Sequence, residues 1–178
     1  MGIHVALLRG INLGGHHRVP MAELRTLLTD AGYDDVRTYV QSGNIVLGAG
    51  AAAGTVQRDL QTLISDRFGF EVPVVVRSRA QLAEVVAGDP FGDAVTEPKL
   101  YQVTFLDRPL PPEAADRLQA LRAGSERLVV RGRHIYAWLP DGIARSKMSS
   151  ALAGAKLEVT ATARNWRTVL ALLALSGG

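Results

Sequence analysis

The order of local patterns constrains this chain most, because one set of seven elements can be read along it twice. Ile3 to Leu8 is β-rich and apolar at both alternating sets of positions, which predicts a strand covered on both sides. Pro20 stands at the first position of a helix whose stripe is Met21, Leu24, Leu27 and Leu28, ending at Gly32. "DVRTYVQSGNIVLG" follows, two extended runs broken at Ser42-Gly43 as in a tight hairpin. Thr55 is placed to cap a second helix carrying Val56, Leu60, Leu63, Ile64 and Phe68, closed by Gly69. "EVPVVVR" reads as a strand. Ser78 reads as the cap of a third helix with Leu82, Val85 and Val86 that stops before Asp89-Pro90.

The order then recurs. "LYQVTFL" (100–106) is a strand, Pro111-Pro112-Glu113 opens a helix with Leu118 and Leu121, and "RLVVRGRHIYAWLP" is a hairpin turning at Gly132-Arg133. Ser146 caps a helix through Met148 and Leu152, and "LEVTA" (157–161) is the next strand. Thr162 caps the last helix, with Trp166, Val169, Leu170, Leu172 and Leu173 facing inward. Ser78 and Thr162, Leu82 and Trp166, and Val85 and Val169 are each 84 positions apart, as a duplication would place them.

Two β-α-β-β-α-β-α halves predict an α+β protein built from two ferredoxin-like antiparallel sheets, each with its helices on one face. The halves are read as residues 1–88 and 99–178, with 89–98 as linker. Strand direction then makes Arg9–Arg18 a neighbour of Gln41–Asn44 at one sheet edge, and "LPDGIARSK" a neighbour of "TARNW" at an edge of the other sheet. The further expectation is that all four polar loops line one basic cleft between the halves, the second half covering the open face of the first sheet.

Composition narrows the function classes. The 178 residues are 47% hydrophobic and contain no cysteine, which excludes disulfides, thiolate catalysis and cysteine zinc sites. A net charge of +3 permits acidic ligands without demanding nucleic acid. No apolar run reaches membrane-span length, and "MGIHVALLRG" does not read as a signal peptide, so the expectation is a soluble cytoplasmic protein with no membrane partner.

The polar loops carry the functional signal. In "RGINLGGHHRVP", Gly10 and Gly15 have P-loop spacing, but His16-His17 replace the lysine and hydroxyl that such a loop needs. What remains is a glycine-lined concavity before a helix start, which suits an anion; a plain connecting turn explains the same glycines. Adjacent histidines point apart in an extended stretch, so no metal site is read. Ser42-Gly43-Asn44 is hairpin chemistry that also offers donors beside the first loop. Lys147, in a helix first turn, and Arg164-Asn165, before the last helix, place cations where a helix dipole disfavours them unless an anion sits nearby. The candidate contacts are therefore Arg9, Asn12, Gly14, Gly15, Asn44, Lys147, Arg164 and Asn165. No serine, histidine and acid set is placed for catalysis, and no cofactor motif is met.

"ALLRGINLGG", "VPMAEL", "YVQSGNIVL", "SDRFGF", "DPF", the "WLPDG" to "SKM" segment and "TARNWRTV" follow in order across nearly the whole chain. Together they resemble the bacterial domain-of-unknown-function family 1697. The resemblance implies an α+β protein and carries over no activity or catalytic residue. Related sequences often have lysine where this one has His16. The first functional reading is a pocket for a phosphorylated small molecule or nucleotide. The second is a nucleic-acid binder, with Tyr136 and Trp138 as stacking aromatics. The third is a structural or oligomerising protein whose polar loops form a subunit interface.

Overall fold

A computed structural model describes residues 1–153 and 157–177. The elements run β1 (Gly2–Leu8), α1 (Met21–Asp30), β2 (Asp34–Tyr39), β3 (Asn44–Ala49), α2 (Ala53–Phe68), β4 (Val74–Ser78) and α3 (Arg79–Ala87). They continue as β5 (Tyr101–Leu106), α4 (Pro112–Ala120), β6 (Arg127–Arg131), β7 (His134–Trp138), α5 (Lys147–Ala153), β8 (Ala161–Asn165) and α6 (Trp166–Leu175). Two four-stranded antiparallel sheets result, ordered β2-β3-β1-β4 and β6-β7-β5-β8, so the two halves share one topology. Two compact units carry them: Met1–Ala83 with Leu172–Gly178, and Glu84–Ala171. No helix among the described residues is long and apolar enough to cross a membrane.

In the first unit, Met21, Leu24 and Leu28 of α1 and Val56, Leu60 and Ile64 of α2 pack on Ala6, Leu8, Ile45, Leu47, Val74 and Val76 of the sheet. Val5 and Leu7, on the other face of β1, are buried as well, as the doubly apolar pattern requires. In the second unit, Leu118 of α4 and Met148 and Leu152 of α5 pack on Leu106, Leu128, Ile135, Ala137 and Ala161. The "DPF" segment is pinned there: the Asp89 carboxylate accepts from the Phe91 N–H (2.9 Å) and the Tyr101 hydroxyl (2.8 Å). Burial, reinforced by Asp89, pushes the Tyr101 phenol far above its ordinary pKa.

Five sequence expectations shift, one of them Leu170 of α6, expected to face inward but 42% exposed. The strand expected at 157–161 lies at Ala161–Asn165. Glu158 takes φ +61°, and Asp107 brackets Thr160 through both its N–H and its carboxylate, so pairing with β5 starts only at Ala161. Thr162 is therefore inside the strand, and Asn165 caps α6 by accepting the Thr168 N–H (2.9 Å). The second helix begins at Ala53 with Ala52 as its cap residue, which puts Thr55 inside the first turn rather than at the cap. Pro20 likewise precedes the first helical residue of α1 instead of being it. Ser78 and Ser146 do cap, accepting from Gln81 N (3.2 Å) and Ser149 N (3.0 Å).

The displaced strand also resets the repeat. Val74–Ser78 corresponds to Ala161–Asn165 at an offset of 87 (161 less 74), not 84. Ser78 then matches Asn165, both caps, and Leu82 and Val85 match Val169 and Leu172, all four buried. The symmetry extends to single bonds. Leu8 N–H donates to Gly43 O and Arg9 N–H to Pro73 O, while Leu106 N–H donates to Arg133 O and Asp107 N–H to Thr160 O.

Candidate functional site

In the first unit, the segment after β1 is a miniature hairpin. Asn12 N–H donates to His17 O (3.1 Å) and His16 N–H to Leu13 O (3.0 Å), with Gly14 and Gly15 at φ +56° and +82° as the central turn residues. Two consecutive positive φ values define the primed turn that glycine occupies at no steric cost. Asn12, itself at φ +54°, is the clamp. Its Nδ2 donates to Val19 O (2.9 Å) and across to Gln41 O (2.8 Å), and its Oδ1 accepts from Val19 N–H (2.8 Å). The expected neighbourhood of Arg9–Arg18 and Gln41–Asn44 is thus present. Gly43 tightens it: a Cβ there would stand 2.5 Å from Leu8 Cβ and 2.9 Å from Ile11 Cδ1.

Below this clamp lies an open depression of about 380 Å³, lined by Asn12, Arg18, Gln41, Arg25, Pro20 and the first turn of α1. The first intrahelical bond of α1 is Leu24 N–H to Pro20 O, and no side chain caps the helix, so the N–H groups of its first turn have no intrahelical acceptor. Arg18 and Arg25 are exposed, and Arg25 is steadied by its Nη1 donating to Thr38 Oγ1 (2.6 Å). None of the described residues lining the depression is a carboxylate. Glu23, the acid in the first turn of α1, instead pairs with Arg67. Orphan amides and two guanidiniums beside one recess make a place for negative charge.

The eight sequence candidates divide between the units. Asn12 lines the depression, whereas Gly14 and Gly15, exposed at the turn of the hairpin, are not part of that lining. Arg9 is half-buried and fixed through its backbone to Pro73. Asn44 is fully buried, with Nδ2 donating to Tyr39 O (3.0 Å) and Ser42 Oγ (2.9 Å), so it braces the hairpin turn. In the second unit, Lys147 is exposed at the first position of α5, and Asn165 caps α6. Arg164 is nearly buried, donating to Thr162 Oγ1 and Ala163 O (both 2.8 Å). Burial pulls its pKa down to about 10, which still leaves it charged at neutral pH.

Arg164 has a counterpart that sequence reading passed over. Arg77 occupies the same position of β4, is equally buried, and donates to the carbonyl of its own preceding residue, Val76 (3.1 Å). A buried arginine one residue before the helix cap is therefore a repeated structural feature. Arg18, Arg25 and Gln41 were also passed over. The signal for them was an α1 start with no Ser, Thr, Asp or Asn cap, flanked by arginines. Tyr136 and Trp138, the aromatics a base-stacking surface would use, are buried.

Each unit is thus a ferredoxin-like α+β fold, and the chain is a tandem of two. The family model described as "Protein of unknown function (DUF1697)" matches residues 1–136, and the chain belongs to that family. It also resembles the solved structure of conserved bacterial protein SP0830 from Streptococcus pneumoniae, with a TM-score of 0.80 and 21% identity over 98% of each chain, a likeness of fold. A comparison with curated proteins gives no match.

Proposed function

We propose that the protein binds a small phosphate-bearing ligand at the head of α1. Arg18 and Arg25 supply the charge, the first-turn amides supply neutral donors, and Asn12 and Gln41, bonded to each other, line the recess beside them. The observation that carries this reading is the convergence of two exposed arginines on an uncapped helix start, around a recess without a carboxylate. The described residues of the lining include no aromatic ring for a nucleobase to stack on, so recognition centres on the phosphate group. Arginine presents a planar fork suited to two phosphate oxygens at once.

Thermal unfolding with inorganic phosphate, pyrophosphate and a sugar phosphate tests it. A ligand at a hundred times its Kd adds about 2.7 kcal/mol, which is roughly 5–10 °C for a chain of this size. The Arg18→Ala/Arg25→Ala variant should unfold like wild type without ligand and lose the shift with it. No shift with any of the three, or an equal shift in the variant, overturns the reading.

A further inference from the structure

The two turns that rim the α1 site each carry an exposed aliphatic side chain. Leu13, next to the Gly14-Gly15 turn, is 67% exposed, and Val40, in the β2–β3 turn, is 53% exposed. The Asn12 Nδ2 to Gln41 O bond fastens these turns together, and Leu13 and Val40 each adjoin one end of it in sequence. Val40 also holds φ +52°, so a β-branched residue is both strained and in water, which neither core packing nor turn chemistry requires. The two turn segments themselves carry charge of one sign. Residues 9–20 and 36–44 contain Arg9, Arg18, Arg37, His16 and His17 and no Asp or Glu. Arg25 adds to them, while Glu23 is engaged by Arg67.

We propose that this face docks on an anionic phospholipid membrane, with Leu13 and Val40 entering the interfacial layer and a lipid phosphate seated between Arg18 and Arg25. The inference rests on the anion reading above and names a lipid headgroup as the source of the phosphate. Exposed aliphatic side chains on turns whose own charges are all cationic match a surface that is negative outside and apolar just beneath. A nucleic acid would call for exposed rings, and a second copy of this face would bring like charges together. The expectation of no membrane partner rested on the missing apolar span, and peripheral docking needs none.

The full chain is tested by sedimentation with vesicles of mixed phosphatidylglycerol and phosphatidylcholine, with phosphatidylcholine vesicles alone, and by calorimetric titration with inorganic phosphate. Wild type should bind the anionic vesicles and not the zwitterionic ones. Arg18→Ala/Arg25→Ala should weaken vesicle binding about thirtyfold, each cation near such a surface being worth about fivefold. Leu13→Ser/Val40→Asn, neutral changes at two exposed turn positions, should weaken vesicle binding at least about tenfold by removing aliphatic surface from the interface and leave the phosphate titration unchanged. Phosphate binding without vesicle binding, or vesicle binding that survives the Leu13→Ser/Val40→Asn change, overturns the membrane proposal while the anion reading stands. Failure to bind either phosphate or vesicles overturns both.

Discussion

Replacing Asn12 with alanine tests whether the rim of the α1 site is held by one side chain. The variant removes three hydrogen bonds, two to the backbone of Val19 and one to Gln41 O. A neutral bond is worth about 1 kcal/mol net, and the Gln41 bond counts for less because that residue is exposed, so the loss is about 2–3 kcal/mol. Alanine must also keep φ near +54°, which costs about 1 kcal/mol more. The total of about 3–4 kcal/mol corresponds to a melting temperature roughly 10 °C lower. Amide hydrogen exchange supplies a local readout, since Val19 N–H loses its acceptor and should lose protection. Asn12→Asp keeps that acceptor and should fall between wild type and alanine. A melting temperature within about 2 °C of wild type, with Val19 still protected, would refute the clamp.

Gly43→Ala should cost about 3 kcal/mol or more in denaturant unfolding, because its Cβ meets Leu8 and Ile11 and its φ is +79°. Gly14→Ala, with open space around it, should cost only the left-handed penalty of about 1 kcal/mol; equal losses would contradict the close-approach argument. Val40→Asn should stabilise by about 0.5–1 kcal/mol in the same assay, since asparagine tolerates φ +52°, and a destabilised variant would show that the backbone there carries no strain. His4 is buried with Nδ1 unpartnered, and burial lowers its pKa below 6.5. The unfolded chain thus takes up a proton that the native state resists, so this contribution is complete above pH 6.5 and is lost as the pH falls toward the native value. Melting temperature against pH should be flatter for His4→Gln over that window, and parallel profiles would contradict it.

The architecture was legible because its signals are local. Doubly apolar β1, the Met21-Leu24-Leu28 stripe and the Ser42-Gly43 and Gly132-Arg133 turns each determine one element, and ferredoxin-like order follows from their sequence. The 84-residue repeat failed because "LEVTA" looks strand-like on its own, whereas pairing with β5 and the two Asp107 contacts to Thr160 decide where β8 starts. The polar loops were legible in the sequence, but what their side chains do was not. Asn12, Asn44 and Asn165 stood out as polar residues in loops, yet their amides are spent on a clamp, a turn and a cap. Arg18 and Arg25 carry no motif, and the proposal for them rests on an α1 start that lacks a side-chain cap and on Thr38 steadying Arg25. Only tertiary geometry shows either.

Backbone amide NMR during titration with inorganic phosphate examines the α1 site most directly. Saturable shifts concentrated at Met21, Ala22, Glu23, Arg18 and Gln41, and abolished in Arg18→Ala/Arg25→Ala, are what the anion reading predicts. Shifts that are absent, or that scatter over the surface and scale only with ionic strength, would contradict it.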